Sequence, residues 1–197
     1  MRYSVLLFSI LISGCVSTQV ISYSDPDFVN YKIRKVAVQG NKTQFSHVLQ
    51  SKLIEALKKR GVQAVLVNRI APPTRRYALG EVARRLKAVG YEVILDVRLT
   101  DADRQTRYLG TYNTFNAYSF GGSTYGYMSS IPMTQTTAYT KVDARLFEAG
   151  TGKNIWIGSF TTQANDALTA NIGAMSDNMV QSIIKDLAAK GHLDKGD

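Results

Sequence analysis

Few side chains of this chain could perform catalysis. The sequence has two histidines, His47 and His192, and a single cysteine, Cys15. Ser46 precedes His47, but adjacent residues of a helix point in different directions, so we expect no serine–histidine pair. His192 lies near the end of a predicted helix, where a positive charge interacts favourably with the helix dipole. These residues predict no catalytic site.

Two further patterns resemble ion sites only superficially. Asp96, Asp101 and Asp103 lie on or beside a predicted strand and lack the oxygen-rich loop spacing of a calcium site. The glycine-rich segment 121–126 lacks the lysine and following hydroxyl residue of a phosphate-binding loop. A single cysteine also excludes a disulfide framework. We therefore expect no metal ion, no cofactor and no enzymatic activity.

The N-terminal residues have the pattern of a signal peptide. Arg2 gives a positive start, residues 5–12 are apolar apart from one serine, and the small residues Ser13 and Gly14 follow. A membrane-spanning helix needs about 20 apolar residues, and this run is much shorter. We expect a leader that is cleaved. The cysteine that follows it, Cys15, is either an ordinary residue or a modified one.

The four residues Ile12, Ser13, Gly14 and Cys15 resemble the lipobox of bacterial lipoproteins. The resemblance implies a signal peptide over 1–14 and a mature chain whose first residue, Cys15, carries a diacylglyceryl group and acyl chains such as palmitate. Several acyl chains anchor a protein firmly. Val16, where an Asp would favour the inner membrane, implies the outer membrane. We expect a lipidated cysteine and short tether over 15–31.

The remaining sequence predicts one α/β domain over 32–193 and a tail over 194–197. Strand patterns alternate with one-faced helices from Ile33 to Leu99, in the order βαβαβ, with glycines such as Gly61 ending the helices. Residues 139–147 alternate in polarity, and a glycine turn leads to a return strand. A last helix follows. The fold class is therefore α/β, a mixed sheet with a βαβαβ first half, then an extended β-hairpin and a C-terminal helix.

This order of elements resembles the curli-secretion lipoprotein family and the amino-terminal domain of the Tol translocation protein. The residues that carry the resemblance are Val36-Ala37-Val38, the helix ending at Gly61, Leu95, and the segment 144–156 with its glycine turn and Trp156. Residues 23–28 look more like small bacterial outer-membrane lipoproteins of unassigned function. The curli resemblance implies an oligomeric secretion or pore component.

Positive charge is concentrated in the first half of the domain. Residues 32–87 contain 14 Lys and Arg against two Glu, whereas residues 88–197 contain nine basic and eleven acidic residues. Such a region either attracts an anionic envelope component or forms two solvated helix faces. The candidate residues for an anionic partner are Lys58, Lys59, Arg60, Arg75, Arg76, Arg84, Arg85 and Lys87.

An aromatic, glycine-containing segment follows over 104–140 and has no acidic residue. It is predicted to be a hairpin or loop that packs on the sheet, contacts a partner or inserts into a membrane within an oligomer. Between residues 108 and 120 neither strand parity is consistently apolar, which disfavours a membrane-barrel strand. The candidate interaction residues are Tyr108, Tyr112, Phe115, Tyr118, Phe120, Tyr125 and Tyr127.

Together these features predict a non-enzymatic outer-membrane lipoprotein of the cell envelope. We expect it to face the periplasm as a binding or assembly accessory, held to the membrane by its N-terminal lipid. The expected partner is another envelope protein or an anionic envelope component, with a homo-oligomer as a further option. Nucleic acid is excluded as a partner because a signal peptide directs the chain away from it.

Overall fold

Six strands form one mixed sheet in the computed structural model, which describes residues 16–29, 31–78, 80–120 and 123–194. The strands are β1 (Val16–Ser24), β2 (Lys35–Gly40), β3 (Gln63–Leu66), β4 (Val93–Phe120), β5 (Ser123–Glu148) and β6 (Asn154–Ala164). Their spatial order is β1-β6-β5-β4-β2-β3. Strand β2 runs parallel to β3 and β4, and the other pairings are antiparallel. The predicted fold class is confirmed.

Four α-helices of the described residues connect or cover the strands. They are α1 (Gln44–Lys59), the short α2 (Val67–Ile70), α3 (Glu81–Ala88) and α4 (Ile172–Ala189). The side chain of Thr43 caps α1 by accepting from the amide of Ser46, and Asn171 caps α4 in the same way. Among the described residues, no helix is both long and apolar enough to cross a membrane.

The helices cover the two sheet faces unequally. Helices α1 and α4 pack on one face, which we call the helix face, and bury the main core. Leu53, Ile183 and Trp156 lie in this core, with at most 1% of each side chain exposed. On the opposite face, Leu86 of α3 packs on Ala37 and Ile94 in a smaller cluster. The core is therefore centred between the sheet and the α1–α4 layer.

The N-terminal residues of the described chain form a strand, where the sequence predicted a tether. Residues Val16–Ser24 pair with β6 along their whole length, so the prediction of a tether over 15–31 is wrong for this part. The local pattern of this strand is weak because its residues are mostly polar and none of them is fully buried. It is stabilised by hydrogen bonds to residues around α4 that lie far away in the sequence.

Side-chain hydrogen bonds join β1 to this C-terminal region. Thr18 Oγ1 donates to Asn178 Oδ1 at 2.5 Å, and Ser22 Oγ donates to Asp186 Oδ1 at 2.9 Å. The other oxygen of Asp186 accepts from Trp156 Nε1 at 2.8 Å. One carboxylate therefore satisfies a buried indole N–H and also positions the edge strand.

We predict that Asp186→Ala lowers the free energy of unfolding by about 1–3 kcal/mol, because it leaves the buried Trp156 N–H without an acceptor. Asp177→Ala is the matched control on the same helix. Its carboxylate pairs with Lys52 and is 60% exposed, so its loss should cost less than about 1 kcal/mol. Urea unfolding of the full-length Cys15→Ser chain measures both, and equal losses would contradict the assigned role.

Candidate functional site

Strands β4 and β5 extend far beyond the strands beside them. Pairing of β5 with β6 ends at Ala138 and Ala164, and pairing of β4 with β2 ends at Val97. From Arg104 and Ala138 onward, β4 and β5 continue as a two-stranded ladder to Phe120 and Ser123. At about 3.3 Å per residue this part is roughly 50 Å long. We call residues 105–120 and 123–137 the projecting hairpin.

The projecting hairpin exposes apolar side chains on both faces. Tyr112 and Ile131 are cross-strand partners on one face, and Phe115 and Met128 are partners on the other. A two-stranded hairpin has no core of its own in which to bury them. The exposed large apolar residues of the hairpin are Tyr108, Leu109, Tyr112, Phe115, Tyr127, Met128, Ile131 and Met133.

Beyond Arg107, the projecting hairpin also lacks charge. Residues 108–140 contain no Lys, Arg, Asp or Glu. Charged residues normally protect exposed strands from pairing with other chains, and here only Pro132 and a bulge between Tyr108 and Gly110 serve that purpose. Over the described residues, the outer edges of both hairpin strands have no neighbouring strand. The hairpin is therefore suited to contact with another molecule along its faces and edges.

A glycine on one hairpin strand makes room for a large aromatic ring that extends from the other strand. Gly126 lies opposite Ala117, and the ring of Phe115 lies across it. A Cβ atom at Gly126 would fall 2.3 Å from the Phe115 Cζ atom, which is far closer than such contacts allow. The glycine thus holds Phe115 against the strand while the ring stays 66% exposed.

The base of the hairpin lies in the same row of the sheet as the start of β1. Arg104 pairs with Ala138, Ala138 with Ala164, and Ala164 with Val16. Strands are about 4.8 Å apart, so Val16 lies roughly 14 Å from β4 across the sheet. The residue that directly follows Cys15 in the sequence therefore lies at the end of the domain from which the hairpin projects. We call this end the hairpin pole.

Polar contacts fix the base of the hairpin on the face opposite the helix face. The hydroxyl of Tyr139 donates to Asp101 Oδ2 at 2.7 Å, and this hydrogen bond raises the pKa of Tyr139. Asp103 Oδ2 accepts from the side-chain amide of Gln105 at 2.8 Å. Asp101 is thus used in a contact between β4 and β5, Asp103 is used in contacts within β4, and both carboxylates point away from the helix face.

The structure divides the eight predicted basic residues between two layers. Lys58, Lys59 and Arg60 lie at the C-terminal end of α1 on the helix face, whereas Arg84, Arg85 and Lys87 lie on α3 on the other face. Arg75 and Arg76 lie in the connection before α3. Two members have acidic partners on their own helices, Lys59 with Glu55 and Arg85 with Glu81. The structure does not bring these residues together as one patch.

The other polar candidates have structural contacts. His47 is exposed, whereas Ser46 is buried beside Asn41 and Thr43. His192 is fully buried beyond the end of α4, so the predicted role at the helix terminus is replaced by a bridging one. Its Nδ1 lies 3.0 Å from the carbonyl of Tyr31 and its Nε2 lies 2.9 Å from Ser24 Oγ.

The buried Asp96 is held by two arginines. Its Oδ2 accepts from Arg98 Nε at 2.8 Å and from Arg145 Nε at 3.1 Å. Asp101 and Asp103 lie further along the strand with the separate partners given above. Over the described ranges, no three His, Cys, Asp or Glu side chains converge as metal ligands.

Several predicted site residues lie outside the described part of the structure. These are the lipobox residues Ile12, Ser13 and Gly14, the lipidation residue Cys15, and the side chains of Tyr118, Phe120 and Tyr125. Sequence reasoning did not single out Leu109, Met128, Ile131 and Met133, which the structure exposes beside the aromatic residues. The absence of charge from 108 to 140 is the signal that could have included them.

Comparison with known proteins identifies a shared fold. The sequence matches no family model and no curated protein. The structure is similar to the PelC dodecamer from Paraburkholderia phytofirmans, with 14% identity, a TM-score of 0.50 and coverage of 91% of this chain and 100% of that chain. Lipoprotein GNA1162 from Neisseria meningitidis aligns at 13% identity and a TM-score of 0.44, over 79% and 98% of the two chains. At this identity the PelC comparison concerns the fold alone.

We predict that the projecting hairpin is dispensable for folding. Replacing residues 108–134 by Asn-Gly keeps Arg107 and Gln135 as the last pair and supplies a two-residue turn. All described core residues lie outside the replaced segment, so Tm should change by less than about 3 °C. Thermal unfolding followed by circular dichroism measures this, and loss of the cooperative transition would show that the hairpin belongs to the folding unit.

Proposed function

We propose that this protein is a non-enzymatic lipoprotein of the cell envelope. It is anchored in the outer membrane through Cys15, faces the periplasm, and acts as a binding or assembly accessory whose contact element is the projecting hairpin. The observation that carries this proposal is the projecting hairpin, which has no charged residue from position 108 onward and leaves the sheet at the end where the chain arrives from Cys15.

The pairing of β1 with β6 supports one orientation of the domain relative to the membrane. Val16 is already paired in β1, so a lipid on the preceding residue would hold the hairpin pole against the membrane with almost no intervening chain. A hairpin of roughly 50 Å is longer than the hydrocarbon core of a bilayer, which is about 30 Å thick. The hairpin would therefore contact the membrane surface, enter the membrane, or contact a partner located there.

The unpaired edges of the projecting hairpin decide between the membrane surface, the membrane interior and a partner when the protein is a monomer. A lone two-stranded hairpin in hydrocarbon would leave many backbone N–H and C=O groups without partners, each at a cost of several kcal/mol. A monomer is therefore expected to keep its hairpin in the interfacial region or on a partner protein. Tyrosine-rich surfaces are well suited to that region because each ring has an apolar body and a polar tip.

A second candidate function is an oligomeric secretion or pore component. The outer edge of β4 on one copy and the outer edge of β5 on the next could pair in a head-to-tail contact, and repetition of such a contact closes a ring. This pairing would satisfy the exposed backbone groups. The PelC structure, which shares the fold, is a dodecamer, and the candidate is favoured by that likeness and by the two open edges.

The native mass of the full-length lipidated protein in mild detergent tests the two functions. The accessory function predicts a monomer or dimer, because the hairpin is then free to contact another component. A ring of many copies would instead support the secretion component and contradict the accessory function. The variant with residues 108–134 replaced by Asn-Gly is the control, since any hairpin-dependent ring must dissociate in it.

Photo-cross-linking in cells tests the contact element. A photoreactive amino acid at Tyr112 should give a specific cross-linked product, whereas the same group at Tyr91, outside the hairpin, should not. Cys15→Ser should release the protein from the membrane fraction and strongly reduce the Tyr112 product. Equal products from the two positions would count against the hairpin as the contact element, and membrane retention of Cys15→Ser would count against the lipid anchor.

A further inference from the structure

An open cavity lies on the helix face at the base of the projecting hairpin. Its volume is about 370 Å³, within the range of small-molecule sites. It lies between the hairpin base and the first turns of α1 and α4, at the hairpin pole. Its apolar lining consists of Phe45, Ala102, Ala138, Ala170, Ile172 and Met175.

One buried polar atom in the cavity wall has no partner. Thr140 lines the cavity, and its Oγ1 atom, which is itself buried, has no hydrogen-bond partner in the described structure. The residue is only 7% exposed, so water in bulk solution does not satisfy the hydroxyl. A buried donor without an acceptor is unfavourable. A ligand that carries an acceptor oxygen, such as an ester carbonyl, would relieve this cost.

A positive charge stands at the edge of the same cavity. Arg104 lines it next to Ala102, and the side chain of Arg104 is exposed. Asp103 also lines the cavity, and its carboxylate accepts hydrogen bonds from the side-chain amide of Gln105 and from the backbone amide of Arg104. An anionic group at the cavity mouth would therefore meet the guanidinium of Arg104. The cavity thus combines an apolar wall, a hydroxyl donor and a cation.

We infer that this cavity binds one acyl chain of an anionic membrane phospholipid. The chain lies on Ile172 and Met175, the ester carbonyl accepts from Thr140, and the headgroup phosphate contacts Arg104. The inference rests on the proposed function only in that the lipid anchor brings the hairpin pole to the membrane. Leu168, three residues before the capping residue Asn171 of α4, is 87% exposed and extends the apolar surface at this pole.

The arrangement favours a lipid over a peptide. A peptide that adds to a sheet needs an open strand edge, whereas the cavity lies on the face of β4 and β5 and is lined by side chains of both strands. Lipid binding requires an apolar wall with a polar group at one end. The described lining has both features.

The test uses the full-length Cys15→Ser chain, which has no lipid of its own, and a photoactivatable lysophosphatidylglycerol as the probe. Below its critical micelle concentration this probe supplies one acyl chain and one phosphate without a membrane. Mass spectrometry should locate the label on the segments around Phe45 and around Ile172–Met175. Label confined to the hairpin or the opposite sheet face would overturn the inference.

Two substitutions on β4 separate the cavity from general hydrophobic binding. Ala102→Trp fills the cavity from an exposed position and should reduce labelling about tenfold, as expected if packing space is lost. Ala117→Trp, the same change further along the same strand, should leave labelling unchanged. Thr140→Val removes the hydroxyl with little change of shape and should weaken binding about three- to tenfold. Equal labelling of all variants would overturn the inference, provided that circular dichroism shows that each variant is folded.

The lipidated wild-type protein identifies the source of the acyl chain. If a membrane phospholipid is the ligand, the wild type and Cys15→Ser should be labelled equally. Labelling restricted to Cys15→Ser would show that the anchor's own chain fills the cavity, which would overturn the phospholipid assignment. If intact mass shows no lipid on the wild type, the proposed function fails. The labelling of the Cys15→Ser cavity is a separate result, and it alone decides whether the cavity binds an acyl chain.

Discussion

The difference in length between β4, β5 and their neighbours determines the organisation of this molecule. Where β6 and β2 end, the two central strands continue as a ladder with open edges. Backbone groups and apolar side chains that an ordinary sheet would bury are therefore left exposed, and a two-stranded ribbon cannot cover them by itself. The base of this ladder also forms the wall of the cavity on the helix face, so the extension creates both candidate contact surfaces.

The polar attachment of β1 gives that extension a direction relative to the membrane. Thr18, Ser22 and Ser24 are bonded to Asn178, Asp186 and His192, so the edge strand is held by specific hydrogen bonds where apolar packing is weak. A chain that entered the domain through a loose tether would leave the hairpin free to point in any direction. Here the first residues after Cys15 are part of the sheet, and an anchor on Cys15 would therefore orient the whole domain.

Much of the fold was predictable because its patterns are local. The strand over Val36–Val38, the helix ending near Gly61, and the alternation from Tyr139 to Phe147 each follow from periodicity within a short segment. The exposed residues of the hairpin were only partly predicted, since Met128 and Ile131 become notable only when their strands are known to lack a covering layer. The basic residues were grouped by sequence, but the sheet separates Lys58–Arg60 from Arg84–Lys87.

The sequence by itself determined the α/β class, the order of most elements, the scarcity of catalytic groups and the uncharged character of residues 108–140. These properties depend on composition and on short-range periodicity. The tertiary structure alone decided that Val16–Ser24 is an edge strand, that β4 and β5 project, and that Thr140 and Arg104 share a cavity with α4. The edge strand and the cavity depend on contacts between residues more than 30 positions apart in the chain, and the projection depends on where the distant strands β2 and β6 end. Strand register over such separations is set by the packing of the whole domain.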